Sequence, residues 1–154
     1  MAGVVGTHLF AQVGFIVKDV ETTKRKWAAF LGVEVPETQP AGDYAVTQTR
    51  FQGEPAPEAE CLMAFFDVGP GLQLELIQPN DKPSTWRNFL DEHGEGMHHI
   101  AFQVRNSAEQ VARAEAAGLK LVQHGVYGDG SGEYNYLDAP DLKCIVELLE
   151  SYPK

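Results

Sequence analysis

The chain has 154 residues, 44% of them hydrophobic, and a formal net charge of -10 from 22 acidic and 12 basic residues. That length suits one domain, or two half-size modules sharing a core, and the apolar fraction is that of a globular protein. The acidic balance speaks against a nucleic-acid interface or an anionic membrane surface. It leaves an anionic small substrate open, because a bound divalent cation supplies local positive charge.

In chain order, the first six residues lack the basic and apolar regions of a secretion signal. No later apolar run reaches membrane length, so a cytoplasmic location is expected. The segment Gln12-Val13-Gly14-Phe15-Ile16-Val17-Lys18-Asp19 alternates as a strand does. A helix is expected over 20–31, with Asp19 as N-cap and Gly32 ending it. Three strand-like runs follow at 44–51, 60–67 and 72–78, parted by Gly53-Glu54-Pro55 and Gly69-Pro70-Gly71. A linker over 80–96 carries a short helix near 83–93.

The pattern then recurs. His99-Ile100-Ala101-Phe102-Gln103-Val104-Arg105-Asn106 matches the first strand position by position in residue type. A second helix is expected over 108–117, capped by Ser107 and ended by Gly118, with strands near 120–127, 134–137 and 144–149. The reading is an α+β fold, one domain over 1–154. It contains two βαβββ modules, 9–79 and 97–150, whose strands form an open, cupped mixed sheet. Cys61 and Cys144 are far apart and form no CxxC pair, so both are expected as small apolar fillers in strands.

Strand side chains alternate faces. Phe15 and Val17, like Phe102 and Val104, should pack under the helices. Gln12 and His99 then take equivalent places on the opposite, concave face, each followed two residues on by a very small residue that leaves room for a ligand. In the last strand of each half, Glu75 and Glu147 oppose apolar neighbours. A carboxylate inside an apolar strand is costly unless paired or bound to a metal. Two at equivalent places ask for one shared cation, although a solvated strand face or ion pairs with Arg50 or Lys143 are alternatives. His98, adjacent to His99, should point to the other face and act through packing or hydrogen bonding rather than as a ligand.

On these residues the chain resembles the vicinal oxygen chelate (glyoxalase/bleomycin resistance/dioxygenase) superfamily, and most of all its methylmalonyl-CoA epimerase-like members. The carrying motifs are the first strand, Phe30-Leu31-Gly32, Leu74-Glu75-Leu76-Ile77-Gln78-Pro79, the stretch 89–102 with its His98-His99 pair, and Val146-Glu147-Leu148-Leu149-Glu150. The resemblance implies a divalent metal held by Gln12, Glu75, His99 and Glu147. Oxygen and nitrogen donors of this kind suit Co, Mn, Ni, Zn or Fe without selecting among them.

The resemblance also implies an epimerase or isomerase that forms an enolate from a 2-substituted acyl compound. Glu147 is the first choice as base and Glu75 the second. Epimerase-like members commonly carry His where this chain has Gln12, and a second acid on the second strand, where 45–51 has none. A Gln–Glu–His–Glu set resembles some glyoxalase I enzymes, so a lactoylglutathione lyase is the alternative. Ring-cleaving dioxygenation and a non-catalytic binding protein of the same fold are further ones. The partners expected are a small-molecule substrate and a second copy of the chain, in a homodimer.

Overall fold

Residues 3–154 are described in a computed structural model. Met1 and Ala2, which open the segment weighed as a secretion signal, lie outside the described residues. No helix among the described residues is long and apolar enough to cross a membrane.

The first half opens with β1 (Phe10–Ile16) and α1 (Val20–Leu31). Asp19 caps α1 by accepting from Thr22 N at 3.2 Å, and Gly32 ends it in the left-handed region at φ 71°. There follow β2 (Gln39–Pro40), α2 (Tyr44–Thr47), β3 (Arg50–Phe51), β4 (Glu54–Pro55), β5 (Cys61–Gly69) and β6 (Leu72–Pro79). After α3 (Thr85–His93), the second half runs through β7 (Gly96–Gln103), α4 (Ser107–Ala116), β8 (Lys120–Val126), β9 (Gly132–Ala139) and β10 (Cys144–Ser151). All strands join one mixed sheet in the order β2-β5-β6-β1-β7-β10-β9-β8-β3-β4.

The registers show the repeat directly. β1 and β7 pair antiparallel at the centre, Gly14 opposite His99 and Gln12 opposite Ala101. β6 runs parallel to β1 with Glu75 beside Gly14, and β10 runs parallel to β7 with Glu147 beside Ala101. Exchanging the two halves maps each pairing onto the other. Each half buries its own cluster: Val17, Val20, Ala28, Phe66, Leu74 and Leu76 under α1, and Val104, Val111, Ala114, Leu137, Val146 and Leu148 under α4. At about 1.5–3 kcal/mol per fully buried large apolar side chain, these two clusters are what hold the helices on the convex face.

Three expectations need correction. The run 44–51 is not one strand, since only its end, Arg50–Phe51, pairs as a strand. Asp43 accepts from Ala45 N at 3.0 Å and starts a helical turn, and Gln48 then takes a left-handed φ of 46°. The strand position beside β5 is filled instead by Gln39–Pro40, while Arg50–Phe51 pairs with β8 at the other end of the sheet. The segment between β2 and β3 therefore crosses the open side of the cup.

Second, Ser107 is the first residue of α4, not its cap. Glu150 of β10 accepts from Asn106 N at 2.9 Å and Ser107 N at 3.0 Å, so the cap comes from across the sheet. Gln78 does the same for Val20 N at 2.9 Å in the first half. Third, His98 does not simply face away from His99. The β1–β7 register slips between Gly14 and Phe15, and this bulge turns His98 toward α3 and the neighbouring imidazole. Cys61 and Cys144 are free and pack among apolar neighbours, as expected of fillers.

Candidate functional site

Four adjacent central strands each deliver one polar side chain to the concave face: Glu75 from β6, Gln12 from β1, His99 from β7 and Glu147 from β10. All four are buried. His99 Nε2 lies 2.9 Å from Gln12 Oε1, 3.2 Å from Glu147 Oε1 and 3.5 Å from Glu75 Oε1. The alternatives raised for the carboxylates do not hold. Arg50 donates to Gly53 O, Lys143 is exposed at a turn, and both glutamates face the imidazole.

The neighbours of this group fix its orientation. Gln12 Nε2 donates to Gln73 Oε1 at 2.7 Å, which turns the amide oxygen of Gln12 inward. Gly14 is required by contact: a Cβ there would stand 2.0 Å from His99 Cε1. The space beside Gly14 is thus filled by the His99 ring, not left for a ligand as its small size suggested. His98 Nδ1 lies 2.9 Å from His99 Nδ1, and His98 Nε2 lies 3.1 Å from Thr85 Oγ1. With His98 donating to Thr85, its Nδ1 accepts from His99 Nδ1–H. His99 Nε2–H then donates toward Gln12 Oε1 and the two carboxylates, and on losing this proton it turns its lone pair toward the same oxygens, as in the histidine arrangements that support metal ligation.

The electrostatics follow from burial. Burial pushes the Glu75 carboxyl up to about 8, with the attraction of His99 opposing and the charge of Glu147 reinforcing it. For His99, burial pulls downward, but the charge and hydrogen bond of Glu147 and the charge of Glu75 outweigh it and hold the imidazole above its usual value. Burial, helped by the positive field of His99, holds His98 well below its usual value.

Apart from their pairing with His99 Nε2, Glu75 Oε1 and Glu147 Oε1 are buried without a hydrogen-bond partner. Such groups are rare and mark an interaction still to be made. The donors here close on one another, and among the described residues no three His, Cys, Asp or Glu side chains stand ready-spaced as a metal cage. The fit to a cation rests on donor chemistry: two carboxylate oxygens, one amide oxygen and one imidazole nitrogen converge, two of the oxygens unsatisfied. That set suits a divalent ion.

Over these atoms opens a cavity of about 620 Å³, walled by Phe65, Trp86, Tyr127, Tyr134, Tyr136 and Leu149. Tyr136 stands opposite Glu147 in the β9–β10 register and accepts from Trp86 Nε1 at 3.0 Å. Its ring centroid lies 5.1 Å from that of His99. Neither Tyr136 nor Gln73 is among the site residues expected from the sequence. Period two would have found Gln73, two residues before Glu75, and the hairpin register would have found Tyr136. Nothing in the sequence pointed to Thr85, because its contact depends on the bulge at His98.

Comparison with known proteins agrees with this architecture. An uncharacterised protein of Bacillus subtilis, YqjC, is 35% identical over 69 residues, 45% of this chain, and the match spans about half of that protein (49%). The ethylmalonyl-CoA/methylmalonyl-CoA epimerase of Cereibacter sphaeroides is 26% identical over 140 residues, 88% of this chain and 92% of that one. The crystal structure of methylmalonyl-CoA epimerase from Mycobacterium tuberculosis superposes with a TM-score of 0.68 at 23% identity, covering 99% of this chain and 93% of that one. Residues 11–136, from the strand bearing Gln12 to Tyr136 beside Glu147, match a family described as the Glyoxalase/Bleomycin resistance protein/Dioxygenase superfamily, and with its cupped sheet of repeated halves the chain belongs to that superfamily.

Proposed function

We propose that this chain is a metal-dependent epimerase or isomerase, similar to the epimerases it resembles, that moves a proton on the carbon beside a carbonyl. The observation that carries the reading is the convergence of Gln12 Oε1 and two buried carboxylate oxygens, with no partner beyond this imidazole, on His99 Nε2. A divalent ion bound there supplies Lewis acidity, which polarises the carbonyl and makes the adjacent proton acidic. Gln12, Glu75, His99 and Glu147 are the residues that would hold it.

The remaining work falls to the chain. Glu147 takes the proton from the carbon beside the carbonyl and gives it back to the planar enolate, with Glu75 the second choice for the same base. The aromatic walls keep water from the transferred proton.

A glyoxalase-type lyase is the second reading, favoured by Gln12 at the position where epimerase-like members carry His. Exchange of substrate hydrogen with deuterated solvent tests the proposal across 2-substituted acyl-CoA compounds and hemithioacetals. Exchange at the carbon beside the carbonyl, abolished by Glu147→Gln, is expected. Exchange that survives Glu147→Gln and Glu75→Gln alike contradicts it.

A further inference from the structure

Among the described residues lining the cavity there is no Lys, Arg or His, and the charged ones, Glu75, Asp129 and Glu147, are all acidic. Two tyrosine hydroxyls of its wall are already engaged. The Tyr136 hydroxyl accepts from Trp86 Nε1 at 3.0 Å, and the Tyr134 hydroxyl from Gln123 Nε2 at 3.1 Å. The larger part of the wall is aromatic or aliphatic, Phe65, Trp86 and Leu149 included, and its other polar side chains, Gln39, Gln103, Ser131 and Ser151 among them, are uncharged.

An anionic group placed in such a cavity loses its hydration and meets no cationic side chain in return. An apolar or aromatic group gains burial against the walls. A divalent ion with Glu75 and Glu147 ionised is neutral in sum, so the centre has no surplus positive charge with which to hold an anionic group elsewhere in the cavity.

We propose that the substrate presents an uncharged, largely apolar or aromatic body to the cavity above the donor cluster, and that a free carboxylate on that body is excluded. The proposal rests on the metal-chelating reading above. It narrows the acyl compounds of that reading to those whose side group is uncharged. A malonyl-type substrate then fits only with its carboxylate engaged as one of the two chelating oxygens.

The test uses the whole chain loaded with Co(II) and dialysed, titrated with hydroxamates as bidentate oxygen probes. Acetohydroxamate sets the baseline. Isocaprohydroxamate and succinic monohydroxamate have the same shape, one ending in an isopropyl group and the other in a carboxylate; benzohydroxamate adds a ring. Binding is read by the cobalt absorption bands and by calorimetry. Isocaprohydroxamate and benzohydroxamate are expected to bind at least tenfold more tightly than acetohydroxamate, and succinic monohydroxamate no more tightly than acetohydroxamate. Equal or tighter binding of succinic monohydroxamate than of isocaprohydroxamate overturns the exclusion while leaving the chelate intact. If the protein retains cobalt and binds none of the four, the chelating reading fails and takes this proposal with it.

Discussion

Gly14→Ala is the most economical perturbation of the site, because it changes no donor atom. The added Cβ would stand 2.0 Å from His99 Cε1, 2.5 Å from Nδ1 and 2.6 Å from Nε2, against 3.4–4 Å for an ordinary contact. Gly14 is not in the left-handed region, so the substitution adds no backbone strain and its cost is contact alone. The obstacle is one face of a buried ring held on both sides, by Gln12 at 2.9 Å and by His98 at 2.9 Å. It cannot give way without breaking these bonds. Overpacking of a core costs about 1–3 kcal/mol, and losing a buried hydrogen bond costs about 1–3 kcal/mol more. A destabilisation of about 3 kcal/mol follows, or about 6–12 °C in Tm for a domain of this size. Urea unfolding of the metal-free protein measures it, and metal stoichiometry after dialysis should fall in parallel. The symmetric change Ala101→Gly removes a methyl group without a clash and should cost only about 0.5–1 kcal/mol. If Gly14→Ala keeps the wild-type Tm and full metal content, the placement of His99 against β1 is wrong.

Other outcomes follow from the same geometry. Glu75→Ala or Glu147→Ala should weaken metal binding at least a hundredfold by calorimetry, whereas Glu92→Ala, on the exposed face of α3, should leave it unchanged. His99→Ala should lose metal outright. His98→Ala keeps the ligand but frees its tautomer and should lose about 10–100-fold in affinity, a loss that His98→Asn, which retains a hydrogen-bonding group, should partly restore. Metal binding should release protons and strengthen as pH rises toward 8, because the Glu75 carboxyl, raised to about 8 in the metal-free protein, must lose its proton to bind. The same raised value makes the folded metal-free protein hold a proton that the unfolded chain gives up. Its stability should therefore decline with rising pH between the usual carboxylate range and about 8. Flat metal affinity between pH 6 and pH 8, in buffers of different ionisation enthalpy, would remove Glu75 from the ligand set.

What the sequence discloses is what strand periodicity and repetition carry. Gln12 and His99 occupy matched positions, Glu75 and Glu147 oppose leucine- and valine-bearing faces, and the parity of a strand brings all four to one surface. Parity fails where a strand is irregular. The bulge beside His98 moves a residue that alternation sends to the helix face, and so hides the His99–His98–Thr85 chain. Capping from a distance escapes local rules in the same way. Ser107 has the composition of a cap, but Glu150 reaches the helix start from β10. The run 44–51 reads as a strand because its residues suit one, yet the Asx turn at Asp43 and the left-handed Gln48 take the chain across the cup instead.

The site calls for one divalent ion bound through a single imidazole and several oxygens. X-ray absorption of the Co(II)-loaded protein counts these ligands directly. The expected first shell holds only nitrogen and oxygen at about 2.0–2.2 Å, with outer-shell scattering from one imidazole that disappears in His99→Ala. A first shell containing sulfur, or scattering from two or more imidazoles, or one imidazole that persists in His99→Ala, contradicts the claim.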